Sequence, residues 1–203
     1  MEILNEQFSK DIESGTPLNL ELGGGTGKHK GYYNIDACNV PGVDALADLN
    51  KPLSLVPTDS VSRVISNHAL EHIEELELLL SELHRVTKSD GTIEITVPHF
   101  SNPFYYSDPT HKRFFGLYTM CYFVDFEQQP FRRKRPTFYT QSRFRLVEVK
   151  IEFFRFTRAD KIVGTFLSYL VNRSSSGQEF YERHLCWIFK AHQIRYKLAP
   201  VKK

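Results

Sequence analysis

The stretch from Leu18 to Gly27, LNLELGGGTG, constrains this chain more than any other. Leu18, Leu20 and Leu22 alternate with Asn19 and Glu21, which predicts a short strand. The strand runs directly into Gly23, Gly24, Gly25, Thr26 and Gly27. Several glycines after a strand call for positive φ angles or for a backbone that must come very close to something. A plain surface turn needs only one or two of them, and it does not explain an acidic residue set inside an apolar strand just before it.

Three nucleotide-binding loops compete for this stretch. A P-loop needs a glycine four residues before the Gly-Lys pair and Ser or Thr after it. Around Gly27-Lys28 those positions hold Leu22 and His29. A dinucleotide fingerprint needs G-x-G-x-x-G, and Lys28 stands where its third glycine belongs. What remains is G-x-G-x-G preceded by an acidic residue. That motif resembles the first motif of the class I S-adenosylmethionine-dependent methyltransferases.

The next elements follow the same order. Tyr32 to Ile35 predicts a second strand ending in Asp36, placed to accept from a ribose diol. Only residues 23–31 separate the two strands, whereas a parallel crossover usually takes about 10–12 residues or more. The first crossover is therefore expected to be cut short. Val43 to Ala47 leads to Asp48-Leu49 at a third strand end. The resemblance implies that Asp48 binds the adenine amino group; the residues alone equally allow Asp48 to cap the turn before Pro52. Val61 to Ser66 predicts a buried fourth strand, and the NHALEHI run from Asn67 to Ile73 resembles the segment lining the methyl-donor pocket of small methyltransferases. By this resemblance the cofactor residues are Glu21, Gly23, Gly25, Gly27, Asp36, Asp48, Leu49, Asn67 and His68, and the cofactor is S-adenosyl-L-methionine.

Ile73, Leu76, Leu79, Leu80, Leu83 and Val86 recur at helical spacing, and Lys88 to Gly91 supplies a stop. Thr92 to Val97 alternates as a fifth strand. Residues 98–140 are rich in aromatics and read as a substrate-covering insertion, with a short helix near Leu117–Phe123. Phe144 to Phe156 reads as a long strand, Gly164 to Asn172 as a short helix, Arg173 to Gly177 as a flexible turn, Tyr181 to Phe189 as a helix, and Gln193 to Val201 as a last strand. The resemblance implies an α/β, Rossmann-like doubly wound, mostly parallel seven-stranded sheet, with an antiparallel last strand, in a single domain over 1–203.

Methyl transfer from a sulfonium needs alignment, exclusion of water and, for a hydroxyl acceptor, a base. The best candidate base is His111 in Asp108-Pro109-Thr110-His111, with Asp108 orienting the ring and His72 as a further catalytic candidate. A structural His111 that pins the insertion is the competing reading; His99 is a weaker base candidate and His84 reads as structural. The DPTHKRFF string resembles a subset of small methyltransferases, of the type 11-like family, encoded with bacterial surface-polysaccharide genes. His68, His72, His99 and His111 with Asp108 could gather at one ion, but the spacing fixes no geometry and no metal is expected.

Composition adds mainly exclusions. A net charge of +2 over 203 residues gives no general case for nucleic acid or membrane binding. No apolar run approaches about 18 residues, so no transmembrane helix is expected. The polar N-terminus predicts no signal peptide. Cys38, Cys121 and Cys186 read as free thiols of a cytoplasmic protein. The basic run Arg132 to Arg135 reads as a solvated loop or as an anion site for an acceptor phosphate. The expected function is methyl transfer to a small or carbohydrate-like acceptor at oxygen. The alternative is a catalytically silent binder of the same cofactor, supported by the short crossover. The sequence leaves the oligomeric state open.

Overall fold

The computed structural model describes residues 1–202. Its strands are β1 (Glu2–Ile3), β2 (Leu18–Leu22), β3 (Tyr33–Asp36), β4 (Ala45–Leu46), β5 (Val61–Asn67), β6 (Thr87–Pro98), β7 (Phe144–Phe153) and β8 (Ala191–Pro200). They form one sheet of order β1-β4-β3-β2-β5-β6-β8-β7. The pairs β4–β3, β3–β2, β2–β5 and β5–β6 are parallel. The last strand β8 inserts antiparallel between β6 and β7, as expected. The sheet has eight strands rather than seven because Glu2 and Ile3 pair antiparallel with Leu46 and Ala45. Two residues of an N-terminal arm carry no periodic signal of their own.

The first crossover is short, as the spacing predicts. Residues 23–32 connect β2 to β3 without a helix. Buried side chains lie on one face of the sheet: Leu18, Leu20 and Leu22, Val64, Ile93 and Ile95, and Ile194, Tyr196 and Leu198. On the other face Glu94 pairs with Lys197 at 2.8 Å and Glu152 with Arg195 at 3.3 Å, all part-exposed. A groove of about 490 Å³ runs there, lined by Tyr32 of the helix-free crossover together with Arg63, Ile65, Thr92, Glu94 and Lys197. Helical cover of the sheet is thus uneven, and charged cross-strand pairs take the place of apolar contacts where it is thin.

Helix α1 (Glu6–Ser14) is started by Asn5, whose side chain accepts from the Gln7 and Phe8 amides, and is ended by Gly15 at φ 70°. Its buried Phe8 stacks on Tyr33 with ring centroids 4.4 Å apart. Helix α2 (Leu76–Val86) buries Leu76, Leu79, Leu80, Leu83 and Val86. Each contributes about 1.5–3 kcal/mol of transfer free energy. The helix starts three residues after the expected Ile73 (76 against 73), preceded by a 3-10 turn at Leu70–His72. Thr87 follows α2 without a break and opens β6, which therefore begins five residues earlier than expected (87 against 92). Gly91 is closely packed there: a Cβ on it would lie 2.6 Å from the Thr87 methyl and 3.0 Å from the Ser62 carbonyl oxygen.

The insertion after β6 contains 3-10 turns at Pro103–Ser107, Thr119–Phe123 and Phe126–Gln128. Its start and middle are tied together by the Phe100 amide donating to the Phe115 carbonyl at 2.9 Å. Helix α3 (Arg158–Val171) begins six residues before the expected Gly164, because Thr157 and Asp160 form a capping box. Gly164 lies inside it where a Cβ would come within 2.5 Å of the Phe154 carbonyl oxygen. Helix α4 (Ser175–His184) corrects two expectations. The stretch 175–177 is helical rather than a flexible turn, since the Ser174 hydroxyl accepts from the Gly177 amide. The helix ends at His184 rather than Phe189.

Candidate active site

The glycine loop is braced from below by residues that the sequence reading did not single out as a group. The Gly23 amide donates to the Ile35 carbonyl at 2.9 Å. The Gly24 amide donates to Asn34 Oδ1 at 3.1 Å, and Asn34 Nδ2 donates to the Gly25 carbonyl at 2.8 Å. Asn34 is fully buried; a polar residue inside the short strand YYNI was the available signal. Asp44, buried as well, accepts from the Asn34 amide at 2.8 Å and pairs with Lys28 at 2.6 Å.

Glu21 is 2 % exposed, and its oxygens face His29: one accepts the His29 amide at 2.7 Å and the other lies 2.6 Å from His29 Nδ1. Gly23 and Gly25 have φ of 67° and 51°. Gly23 also packs on the NHALEHI run, since a Cβ there would lie 2.4 Å from the Ala69 Cβ. Asp36, at the end of β3, accepts from the Gly25 amide and the Cys38 amide, both at 2.9 Å. Each of its oxygens keeps a lone pair for a further donor. Asp48 caps the following turn, accepting from Asn50 at 3.0 Å, which holds its carboxyl below the usual range. It remains exposed, with Leu49 buried behind it. Asn67 is exposed at the end of β5.

His68 follows at φ 53°, a left-handed conformation that costs a non-glycine residue energy and is met most often at functional sites. Its ring lies 3.4 Å from Glu71 and 3.0 Å from Gln193. The hydrogen bond to Glu71, more than any other contact, raises its pKa above the ordinary 6.5. His192, 6.2 Å from His68 between ring centroids, is shifted the other way, first by burial and then by the His68 charge.

Glu71, His72, Asp108 and His111 come together across 40 residues of chain. His111 Nδ1 lies 2.9 Å from the Tyr105 carbonyl. Because a carbonyl only accepts, this nitrogen carries the proton, and Nε2 is left with its lone pair in the neutral ring. That Nε2 lies 3.7 Å from Asp108 and 4.0 Å from Glu71. The rings of His72 and His111 are 4.9 Å apart. His72 Nδ1 is 2.9 Å from the Thr110 hydroxyl, which donates to Asp108 at 2.6 Å. Glu71 is 1 % exposed, and its Oε2 has no hydrogen-bond partner. A ligand atom from each of Glu71, His72 and His111 lies within 4.8 Å of the others, so these three could hold a cation.

The other histidines separate. His99 is fully buried, with Nδ1 2.8 Å from Ser101 and Nε2 3.3 Å from Glu182, a structural setting outside this cluster. His84 meets the Val201 carbonyl, also a structural contact. Cys38, Cys121 and Cys186 are free, and burial pushes the Cys121 thiol up to about 12, which makes it a poor nucleophile. Beside the histidine cluster the insertion forms an open, shallow pocket of about 280 Å³ lined by Phe100, Phe114, Tyr118, Tyr122 and Arg135 among others. Arg135 stacks over Tyr118 at 4.0 Å. Tyr105 links pocket and cluster, 4.7 Å from Phe114 and 4.5 Å from His111.

Residues 45–95, from β4 to β6, match the family described as a methyltransferase domain. A SAM-dependent methyltransferase from Archaeoglobus fulgidus has a similar structure, with TM-score 0.51 and 18 % identity over 96 % of this chain and 90 % of that one. The fold is that of S-adenosylmethionine-dependent methyltransferases. One from Mesorhizobium loti gives 0.50 and 15 %, covering 94 % and 96 %. Phosphoethanolamine N-methyltransferase 2 of Haemonchus contortus, in complex with S-adenosyl-L-methionine, gives 0.50 and 15 % over 98 % of this chain and 53 % of that one. No curated protein matches the chain. The domain match and the fold together support S-adenosylmethionine as cofactor and methyl transfer as the enzyme class. Among the described residues no helix is long and apolar enough to cross a membrane.

Proposed function

We propose that this chain transfers the methyl group of S-adenosylmethionine to a hydroxyl oxygen of a small, carbohydrate-like acceptor, in the making of a polysaccharide. The observation that carries the reading is the His111 ring. Its Nδ1 proton is committed to the Tyr105 carbonyl, and its Nε2 lone pair is flanked by Asp108 and Glu71. An acceptor hydroxyl gives its proton to Nε2 as its oxygen attacks the methyl carbon. The carbon–sulfur bond breaks, S-adenosylhomocysteine leaves, and the two carboxylates stabilise the imidazolium. The pocket lined by Phe114, Tyr118 and Tyr122 suits stacking of a sugar ring, and Arg135 suits an anionic substituent on it.

The cofactor lies, in this reading, along the open side of the glycine loop at Gly25, next to the NHALEHI run, with its ribose on Asp36. Calorimetry with S-adenosylhomocysteine tests that part. Binding to the wild-type chain should fall at least tenfold in Asp36→Ala, since a hydrogen bond to a charged group is worth about 1.5–3 kcal/mol. Unchanged affinity removes Asp36 from the cofactor site. A screen of sugar acceptors, read as S-adenosylhomocysteine released, tests the other part, and the activity is expected to survive EDTA. Loss with EDTA and recovery with a divalent cation would replace the His111 base by a metal on Glu71, His72 and His111.

A further inference from the structure

We propose that residues 154–190 form a docking surface for an anionic membrane. Helix α3 is apolar on two sides. Gly164, Leu167 and Val171 face the protein, yet the opposite stripe of Ile162, Phe166 and Tyr169 is left open, at 75 %, 60 % and 64 % exposure. A helix apolar all round is normally covered. Trp187 and Ile188, just after α4, are 62 % and 69 % exposed, and the exposed Val163 of α3 and Phe189 line one groove that joins the two segments. Contiguous exposed apolar surface of this kind marks an interaction site.

Charge identifies the occupant. Six basic residues of this segment, Arg155, Arg158, Lys161, Arg173, Arg183 and Lys190, are all exposed. None of its three acidic residues is. Asp160 is engaged in the capping box, Glu179 is buried on the Tyr118 hydroxyl, and Glu182 accepts from the Leu117 amide. The segment therefore presents exposed apolar side chains and six exposed cations with no exposed carboxylate, although the whole chain carries only +2. A second copy of the chain would bring like charges together. An anionic bilayer receives both features: aromatic and aliphatic side chains enter the headgroup boundary while Lys and Arg pair with the lipid charge. The surface runs up to His192, the neighbour of His68. Phe154 and Phe156 lie 5.0 and 5.6 Å from His192, and both approach Phe104 of the insertion. A docked chain would thus hold its site mouth at the lipid surface.

The test is vesicle binding by the full chain, read by co-sedimentation and by the fluorescence of Trp187, its single tryptophan. Vesicles of phosphatidylcholine with phosphatidylglycerol should bind the protein and shift its emission to the blue, salt should reverse this, and pure phosphatidylcholine should bind at least tenfold more weakly. Arg158→Glu with Lys161→Glu, and separately Ile162→Glu with Phe166→Glu, should each lower binding at least tenfold while leaving thermal stability unchanged, because these side chains are exposed. No binding to the anionic vesicles overturns the proposal. So does equal binding by either double variant, or a dimer by light scattering that Ile162→Glu with Phe166→Glu dissolves.

Discussion

Glu21, in the strand that feeds the helix-free crossover, holds His29 within it: the carboxylate takes the His29 amide at 2.7 Å and the His29 ring at 2.6 Å. A crossover without a helix has few hydrogen bonds of its own, so this buried acceptor holds the loop that a helix would otherwise stiffen. Glu21→Ala should therefore lower stability by about 1.5–3 kcal/mol. It should also weaken S-adenosylhomocysteine binding, because the crossover that continues from the glycine loop is released at His29. Thermal unfolding with and without ligand measures both, and an unchanged melting temperature would remove the brace.

Gly23 and Gly25 make an internal control. Both have positive φ, which costs a residue with a Cβ about 1–2 kcal/mol. At Gly23 the added carbon would also collide with Ala69, whereas at Gly25 nothing lies within 4 Å. Gly23→Ala should be clearly the more destabilising by denaturant unfolding, since the glycine loop would have to move off the NHALEHI run. Equal losses would mean that the φ penalty alone decides.

His111→Ala should leave S-adenosylhomocysteine affinity near wild type and reduce kcat about 10²–10⁴-fold on a true acceptor. Asp108→Asn should lose less, as Asp108 flanks the ring and does not hold the Nδ1 proton. A His111→Ala variant with full kcat would return His111 to the structural role.

His68 sets a pH-dependent difference. Its pKa is raised in the folded state, chiefly by Glu71, so the pair stabilises the fold fully below the ordinary 6.5. That stabilisation is lost as pH rises through the raised value. The melting-temperature gap between wild type and His68→Gln should be widest in mild acid and should narrow above neutrality. The burial that chiefly lowers His192 is common to both proteins, while the smaller part due to the His68 charge is lost in the variant and only partly offsets the gap. A gap that widens with rising pH would contradict the Glu71 pairing.

The sequence alone determined the strand that enters the glycine loop, the succession of the following strands along the chain and the short first crossover. These are local facts: alternation, glycine and spacing act over a few residues. It also placed Asp36 and Asp48 near strand ends and marked the DPTH turn. It missed Glu2–Ile3 as a strand, shifted α4 and began α3 too late, because those boundaries rest on side-chain caps and on pairing with distant Leu46 rather than on periodicity. Only the tertiary structure decided which histidines meet. His72 and His111 lie 39 positions apart (111 − 72) and join through Tyr105, Thr110 and buried Glu71, while His99 turns into the core. Ring orientation follows from which carbonyl or hydroxyl faces each nitrogen, and no pattern along the chain carries that information.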